Sequence, residues 1–209
     1  FVLSTLLVLA LAGCGLSSEP EIVQEIALPS PVPQVASPVS APDLAQGAVF
    51  YAEHCAMCHG PAGQGDGEMV LDGRLQNPPP DFTLLSTASA QTPLDYMQAI
   101  TDGNMLAGMP PFSRYTDAER WNVTAYVYLA AFDSTVIAQG AAVYETACAS
   151  CHGLEGRGDG PNAAEIMPDL TALDDWSTAS HEALYTTISN GMRGMPAFGD
   201  QLSESERWA

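Results

Sequence analysis

The hydrophobic pattern divides the chain into three stretches. Residues Phe1 to Ala12 are almost wholly apolar. A tract follows with Pro20, Pro29, Pro31, Pro33 and Pro38 set among Ser, Ala and Val, without a helical or alternating period. From residue 42 onward apolar positions return at helical spacing. Asp43 can cap a helix running toward Cys55, with Leu44, Ala48, Tyr51 and Cys55 on one line. A comparable run starts near Ser134 and reaches Cys148. Helical segments are expected again from Pro93 to Ile100 and from His181 to Ile188. Two capping boxes, Thr116-x-x-Glu119 and Ser203-x-x-Glu206, each open a further helix. The first continues through Trp121, Val123, Tyr126, Val127 and Ala130; the second reads as a truncated final helix, with barely one turn to Ala209. Gly- and Pro-rich loops without strand signals join these segments, so the expected class is all-α. Loops of that length need something to organise them.

The helical part is a duplication. Gln46-Gly47-Ala48 matches Gln139-Gly140-Ala141, Cys55-Ala56-Met57-Cys58-His59-Gly60 matches Cys148-Ala149-Ser150-Cys151-His152-Gly153, and Gly65-Asp66-Gly67 matches Gly158-Asp159-Gly160. With a shorter offset, Pro80-Asp81-Phe82-Thr83 matches Pro168-Asp169-Leu170-Thr171. Gly108-Met109-Pro110-Pro111-Phe112 then matches Gly194-Met195-Pro196-Ala197-Phe198, and Glu119-Arg120-Trp121 matches Glu206-Arg207-Trp208. Landmarks in one order through both halves mean two copies of one small fold.

Composition adds a constraint on partners. The formal net charge is -19, and all six basic residues are arginine. Such a surface repels nucleic acid and anionic headgroups and favours a basic docking partner; it also keeps an exported protein soluble. The five cysteines are two Cys-x-x-Cys pairs and a lone Cys14, with none left for a disulfide. The apolar start followed by small residues reads as a secretory signal. Leu11-Ala12-Gly13-Cys14 resembles the bacterial lipoprotein cleavage box. That resemblance implies cleavage before Cys14 and lipidation of its sulfur, a tether rather than a span. The alternative is a membrane helix, which needs about 20 apolar residues. Either way the N-terminus is held to a membrane. The segment 15–41 then acts as a leash, reaching about 80 Å if extended at roughly 3.1 Å per residue.

The repeated Cys-x-x-Cys-His carries the chemistry. Near a helix end, positions i and i+3 face one side. Both thiols can add to the two vinyl groups along one porphyrin edge, while the adjacent histidine offers a nitrogen to iron. Zinc is the rival, since two such pairs could form a four-sulfur site. A thioredoxin-like redox motif would need a preceding strand, and none is visible.

With these motifs, each repeat resembles a class I cytochrome c domain, over roughly residues 42–132 and 133–209, with 1–14 as signal or anchor and 15–41 as linker. The resemblance implies a small helical fold wrapped around haem, and two covalently attached haem c groups held by Cys55, Cys58 and His59 and by Cys148, Cys151 and His152. It implies a methionine as sixth ligand, Met109 and Met195, with Met105 and Met192 as local competitors. It implies that the carbonyls of Pro80 and Pro168 accept the Nδ1–H of the haem histidines. Arg74, Arg114, Arg157 and Arg193 are plausible propionate partners, or simply solvated. His54 and His181 read as structural or solvent-facing. Filled axial positions favour relay over bond chemistry. The expected function is therefore not enzymatic: a membrane-tethered di-haem carrier on the extracytoplasmic, periplasmic or cell-surface, face of a bacterial membrane. It would pass electrons between a donor and an acceptor protein, in or beside a respiratory or photosynthetic complex. The alternative is a haem-bearing subunit of a dehydrogenase, or a di-haem peroxidase.

Overall fold

The computed structural model describes residues 35–165 and 167–209; the expectations on Cys14 and the apolar start lie outside them. Helix α1 spans Leu44–His54 and begins at Asp43, whose carboxylate accepts from the amides of Ala45 at 2.9 Å and Gln46 at 3.1 Å. Its buried face is Gly47, Phe50 and Tyr51; of the expected line Tyr51 is buried, but Leu44 is 46% exposed. Gly47 causes the rotation. A Cβ there would stand 3.0 Å from Tyr126 Cβ and would collide with the Asn122 carbonyl. The hydrogen atom lets α6, Asp117–Tyr128, cross α1 at backbone contact.

Between them lie α2 (Ala56–His59), α3 (Glu68–Leu71), α4 (Leu85–Ala88) and α5 (Pro93–Asp102). Helix α5 has Pro93 in its first turn and a capping box between Thr92 and Asp95. It runs two residues past the expected Ile100. Helix α6 begins on the expected Thr116–Glu119 box but stops at Tyr128, short of Ala130. The second repeat has α7 (Ser134–Val143), a π-helical turn over Tyr144–Cys148, then α8 (Ala149–His152). It continues with α9 (Leu173–Thr178), α10 (His181–Asn190) and α11 (Glu204–Trp208), the last on the Ser203–Glu206 box. Among the described residues there is no β-strand, only the isolated bridges Asn104–Met109 and Met192–Met195. The class is all-α, a tandem duplication. Among these residues no helix is long and apolar enough to cross a membrane.

The first repeat carries the core: Phe50, Tyr51, Tyr96, Ile100, Phe112, Val123, Val127 and Tyr128. The repeated Glu-Arg-Trp landmark has a shared structural job. Arg120 is buried, with Nη1 donating to Thr101 Oγ1 and Nη2 pairing with Asp117. Arg207 Nη1 donates to Ser189 Oγ at 2.9 Å. In both copies the arginine ties the last helix to the middle one.

The linker expected to run free to residue 41 is docked at its end. Pro38 is buried. Trp121 Nε1 donates to the Ala36 carbonyl at 3.2 Å, and Ser37 Oγ lies 2.9 Å from Ser177 Oγ. His181, read as structural or solvent-facing, is buried against Tyr128.

Candidate functional site

In the first repeat Cys55 sits where α1 ends and α2 begins, and Cys58 and His59 follow on α2. One turn of helix therefore brings both thiols and the imidazole to one side. The turn is pinned from within. Tyr51 Oη donates to the Gly60 carbonyl at 2.8 Å, and the Gly65 amide donates to the His59 carbonyl at 2.8 Å. Phe82 stacks on the His59 ring, with centroids 4.9 Å apart and planes inclined by 18°.

Cys55, Cys58 and His59 line a cavity of about 320 Å³ together with Met109, from the loop before α6. That loop is closed by two hydrogen bonds, Asn104 N to Met109 O at 2.8 Å and Met109 N to Asn104 O at 2.9 Å. It turns back at Gly103, where φ is +66° and a Cβ would stand 2.5 Å from the Pro110 carbonyl carbon. Only glycine meets both demands. Within the loop Met109 packs against the core, whereas Met105 is 72% exposed.

The second repeat reproduces the parts. Tyr144 Oη donates to the Gly153 carbonyl at 2.8 Å, and the Gly158 amide to the His152 carbonyl at 2.8 Å. Met192 and Met195 close their loop by paired hydrogen bonds of 3.2 Å and 2.8 Å, and Gly191 turns at φ +71°. Met195 is half-buried; Met192 is 53% exposed. This loop is two residues shorter than its counterpart, and Arg193 absorbs the tighter turn at φ +48°.

Burial pushes the Cys55 thiol up to about 12, with Cys58 adding to it, and raises Cys148 in the same way. Burial lowers His59, keeping its ring neutral. Protonated thiols are poor zinc donors. Among the described residues no group of three or more His, Cys, Asp or Glu converges to hold a metal ion, so the two cysteine pairs do not form a four-sulfur site.

The Nδ1 atoms of His59 and His152 are buried with no hydrogen-bond partner, and the carbonyls of Pro80 and Pro168 are the acceptors we propose for them. Pro80 lines the His59 cavity, and Phe82 stacks on the His59 ring. The Pro168 turn packs against Gly158, where a Cβ would stand 3.1 Å from the Pro168 carbonyl oxygen. The arginines find other partners. Arg74 pairs with Asp72 at 3.0 Å and Glu68 at 3.3 Å, Arg157 with Glu155 at 2.9 Å, and Arg114 lies 4.8 Å from the Tyr115 ring centroid.

Four contributors were not recognised from the sequence. His54 lines the cavity, its ring 4.6 Å from Phe50 and 5.1 Å from Tyr115. Phe82 orients His59. Tyr51 and Tyr144 hold the histidine turns, and a signal for them existed: they are 93 residues apart, the spacing of Cys55 and Cys148. The assembled parts fit a covalently attached haem: two thiols one helical turn apart, an imidazole with an orphaned buried Nδ1, and a thioether lining the same apolar cavity.

The model of the family "Cytochrome C oxidase, cbb3-type, subunit III" matches residues 42–127 and again 135–209. The Cbb3-type cytochrome c oxidase subunit FixP of Azorhizobium caulinodans is 31% identical over 176 residues, 76% of this chain and 54% of that protein. The corresponding CcoP of Azospirillum brasilense is 28% identical over 177 residues, covering 78% and 58%. A cytochrome c6 of Synechococcus is 37% identical over 70 residues, covering 34% and 60%. The chain thus spans little more than half the length of the oxidase subunits it matches.

Proposed function

The chain belongs to the family of cbb3-type cytochrome c oxidase subunit III, and from that premise we propose that it carries two covalently attached haem c groups and relays electrons to a membrane oxidase. The domains are 42–132 and 133–209. Cys55 and Cys58, and Cys148 and Cys151, form the thioether links. His59 with Met109, and His152 with Met195, would hold the two haem irons. A haem so held would supply one-electron transfer, at a potential that thioether ligation would raise. The protein's part is to hold its ligands still. Tyr51 and Phe82 fix the His59 turn, the Asn104–Met109 bonds fix the thioether, and the apolar wall excludes water.

One observation carries the reading: Cys55, Cys58, His59 and Met109, from segments far apart in sequence, line one cavity. The greater exposure of Met105 and Met192 favours Met109 and Met195 as ligands. The relatives' names place them in cbb3-type oxidases, which supports an oxidase complex as the electron acceptor. The net charge of -19 suits a basic docking face. Anchoring is at the extracytoplasmic side through the N-terminus, by a lipid on Cys14.

A pyridine haemochrome assay should give two haems per chain. Met109→His should lower one midpoint potential and leave the other in place, while Met105→His should move neither. A single haem, or potentials indifferent to Met109→His, would sink the assignment. Co-purification with oxidase core subunits from native membranes tests the partner.

A further inference from the structure

Resting on the di-haem reading, we propose that Tyr128, Trp176 and His181 are positioning residues that lock the two haem-bearing repeats in one fixed relation, with linker residues 36 and 37 closing the joint. The His181 ring stacks on Tyr128 with centroids 3.8 Å apart and planes at 17°, and meets Phe132 edge-on at 4.8 Å. Its Nε2 lies 2.9 Å from the Tyr128 carbonyl. A carbonyl only accepts, so Nε2 carries the proton and donates. Tyr128 answers from its other end, its Oη donating to the Ala179 carbonyl at 2.8 Å. Trp176 fills the space beside it, 5.9 Å from Trp121 and 6.2 Å from Tyr128. The Glu182 amide donates to the Ser89 carbonyl at 2.9 Å, tying the start of α10 to the end of α4.

Two departures from the duplication lie at this joint. Each middle helix starts one residue after its cap, Thr92 or Ser180. That first position is Pro93 in one copy and His181 in the other, and both are buried. Counting from the residues that open α4 and α9, Ala88 corresponds to Trp176. Ala88 is wholly buried, and next to Trp176 so is Ser177. A small residue in one copy and a large aromatic in the other make two non-identical surfaces. Such surfaces interlock in only one way.

The linker then bridges both halves. Ala36 accepts from Trp121 of the first repeat. Ser177 Oγ already donates to the Asp174 carbonyl at 2.9 Å, so the Ser37 hydroxyl donates to Ser177 of the second. When one electron passes from a reduced centre to an oxidised one, no bond or proton moves. The rate then depends on separation and orientation, which are what this joint sets.

The test uses the full haem-loaded chain in its oxidised form. Pulsed electron paramagnetic resonance between the two irons should give one narrow distance distribution. The double variant Trp176→Ala/His181→Ala should broaden it while haem content and both midpoint potentials stay unchanged. His181→Gln, whose amide N–H can still donate to the Tyr128 carbonyl, should keep much of the narrowness that His181→Ala loses. A broad distribution in the wild type, or a narrow one indifferent to the double variant, overturns the proposal. Fewer than two haems in the wild type would instead defeat the di-haem reading. If the double variant loses haem, Ser37→Ala serves in its place, since it removes only the linker's hydrogen bond to Ser177. Small-angle scattering should then show a larger spread of shapes, and an unchanged profile overturns the proposal.

Discussion

Tyr51 donates its only proton to a carbonyl in the turn that presents His59, in the buried interior of the first repeat. Phenylalanine would remove this bond and leave the carbonyl only its 3.2 Å bond from the Gly63 amide, at about 1 kcal/mol. Tyr51→Phe should therefore lower the thermal midpoint of the holo-protein, and Tyr144→Phe less so, since its bond is only part-buried. Equal shifts in differential scanning calorimetry would contradict this ranking. At this scale much of the site was legible. Cysteine and histidine at fixed spacing define a reactive cluster without reference to anything distant. The recurring Gly-Met-Pro-x-Phe already favoured Met109 and Met195 over Met105 and Met192. In the structure burial separates Met109 from Met105, and burial depends on how the loop folds back at Gly103. Phe82 could not be read at all as a partner of His59, because a stacking contact between distant loops leaves no local trace.

Among the elements, helix starts were read well and helix faces poorly. Asp43, Thr92, Thr116, Ser180 and Ser203 all accept from amides of the turn they precede. Capping is local, decided within four residues, and so survives in sequence. Thr116→Ala should cost about 1 kcal/mol, read as a lower denaturant midpoint at unchanged slope. A changed slope would show that the substitution alters more than the cap. The face of α1 was different. Periodicity favoured Leu44 and Ala48, but the closest neighbour of α1 is the α6 backbone over Gly47. A glycine contributes no hydrophobicity, so the position that sets the crossing is silent in an apolar pattern. The π turn at Tyr144–Cys148 was equally silent: the same Tyr-to-Cys spacing in the first repeat, Tyr51 to Cys55, is α-helical.

On the scale of the whole molecule, His181 is the buried imidazole of the joint. Burial lowers His181 below the ordinary imidazole value of 6.5, against a smaller upward pull from its bond to Tyr128. The folded joint therefore binds fewer protons than the unfolded chain between that lowered value and 6.5, and stability rises with pH across this window. The contribution is complete above 6.5 and is lost as pH falls toward the folded value. Denaturation midpoints should drop between about pH 7 and 5, and His181→Gln should flatten that drop. An identical pH profile in both proteins would remove His181 from the account. By itself the sequence determined the all-α class, the duplication, the two attachment motifs and the helix caps, because each is fixed by residues within a few positions or by comparison of the copies. Only the tertiary structure decided which methionine lies inside, which face of α1 is buried, that linker residues 36 and 37 are docked, and that His181 belongs to the joint. Those outcomes depend on surfaces meeting across long stretches of chain, where shape and burial select the partner and no spacing rule records the choice.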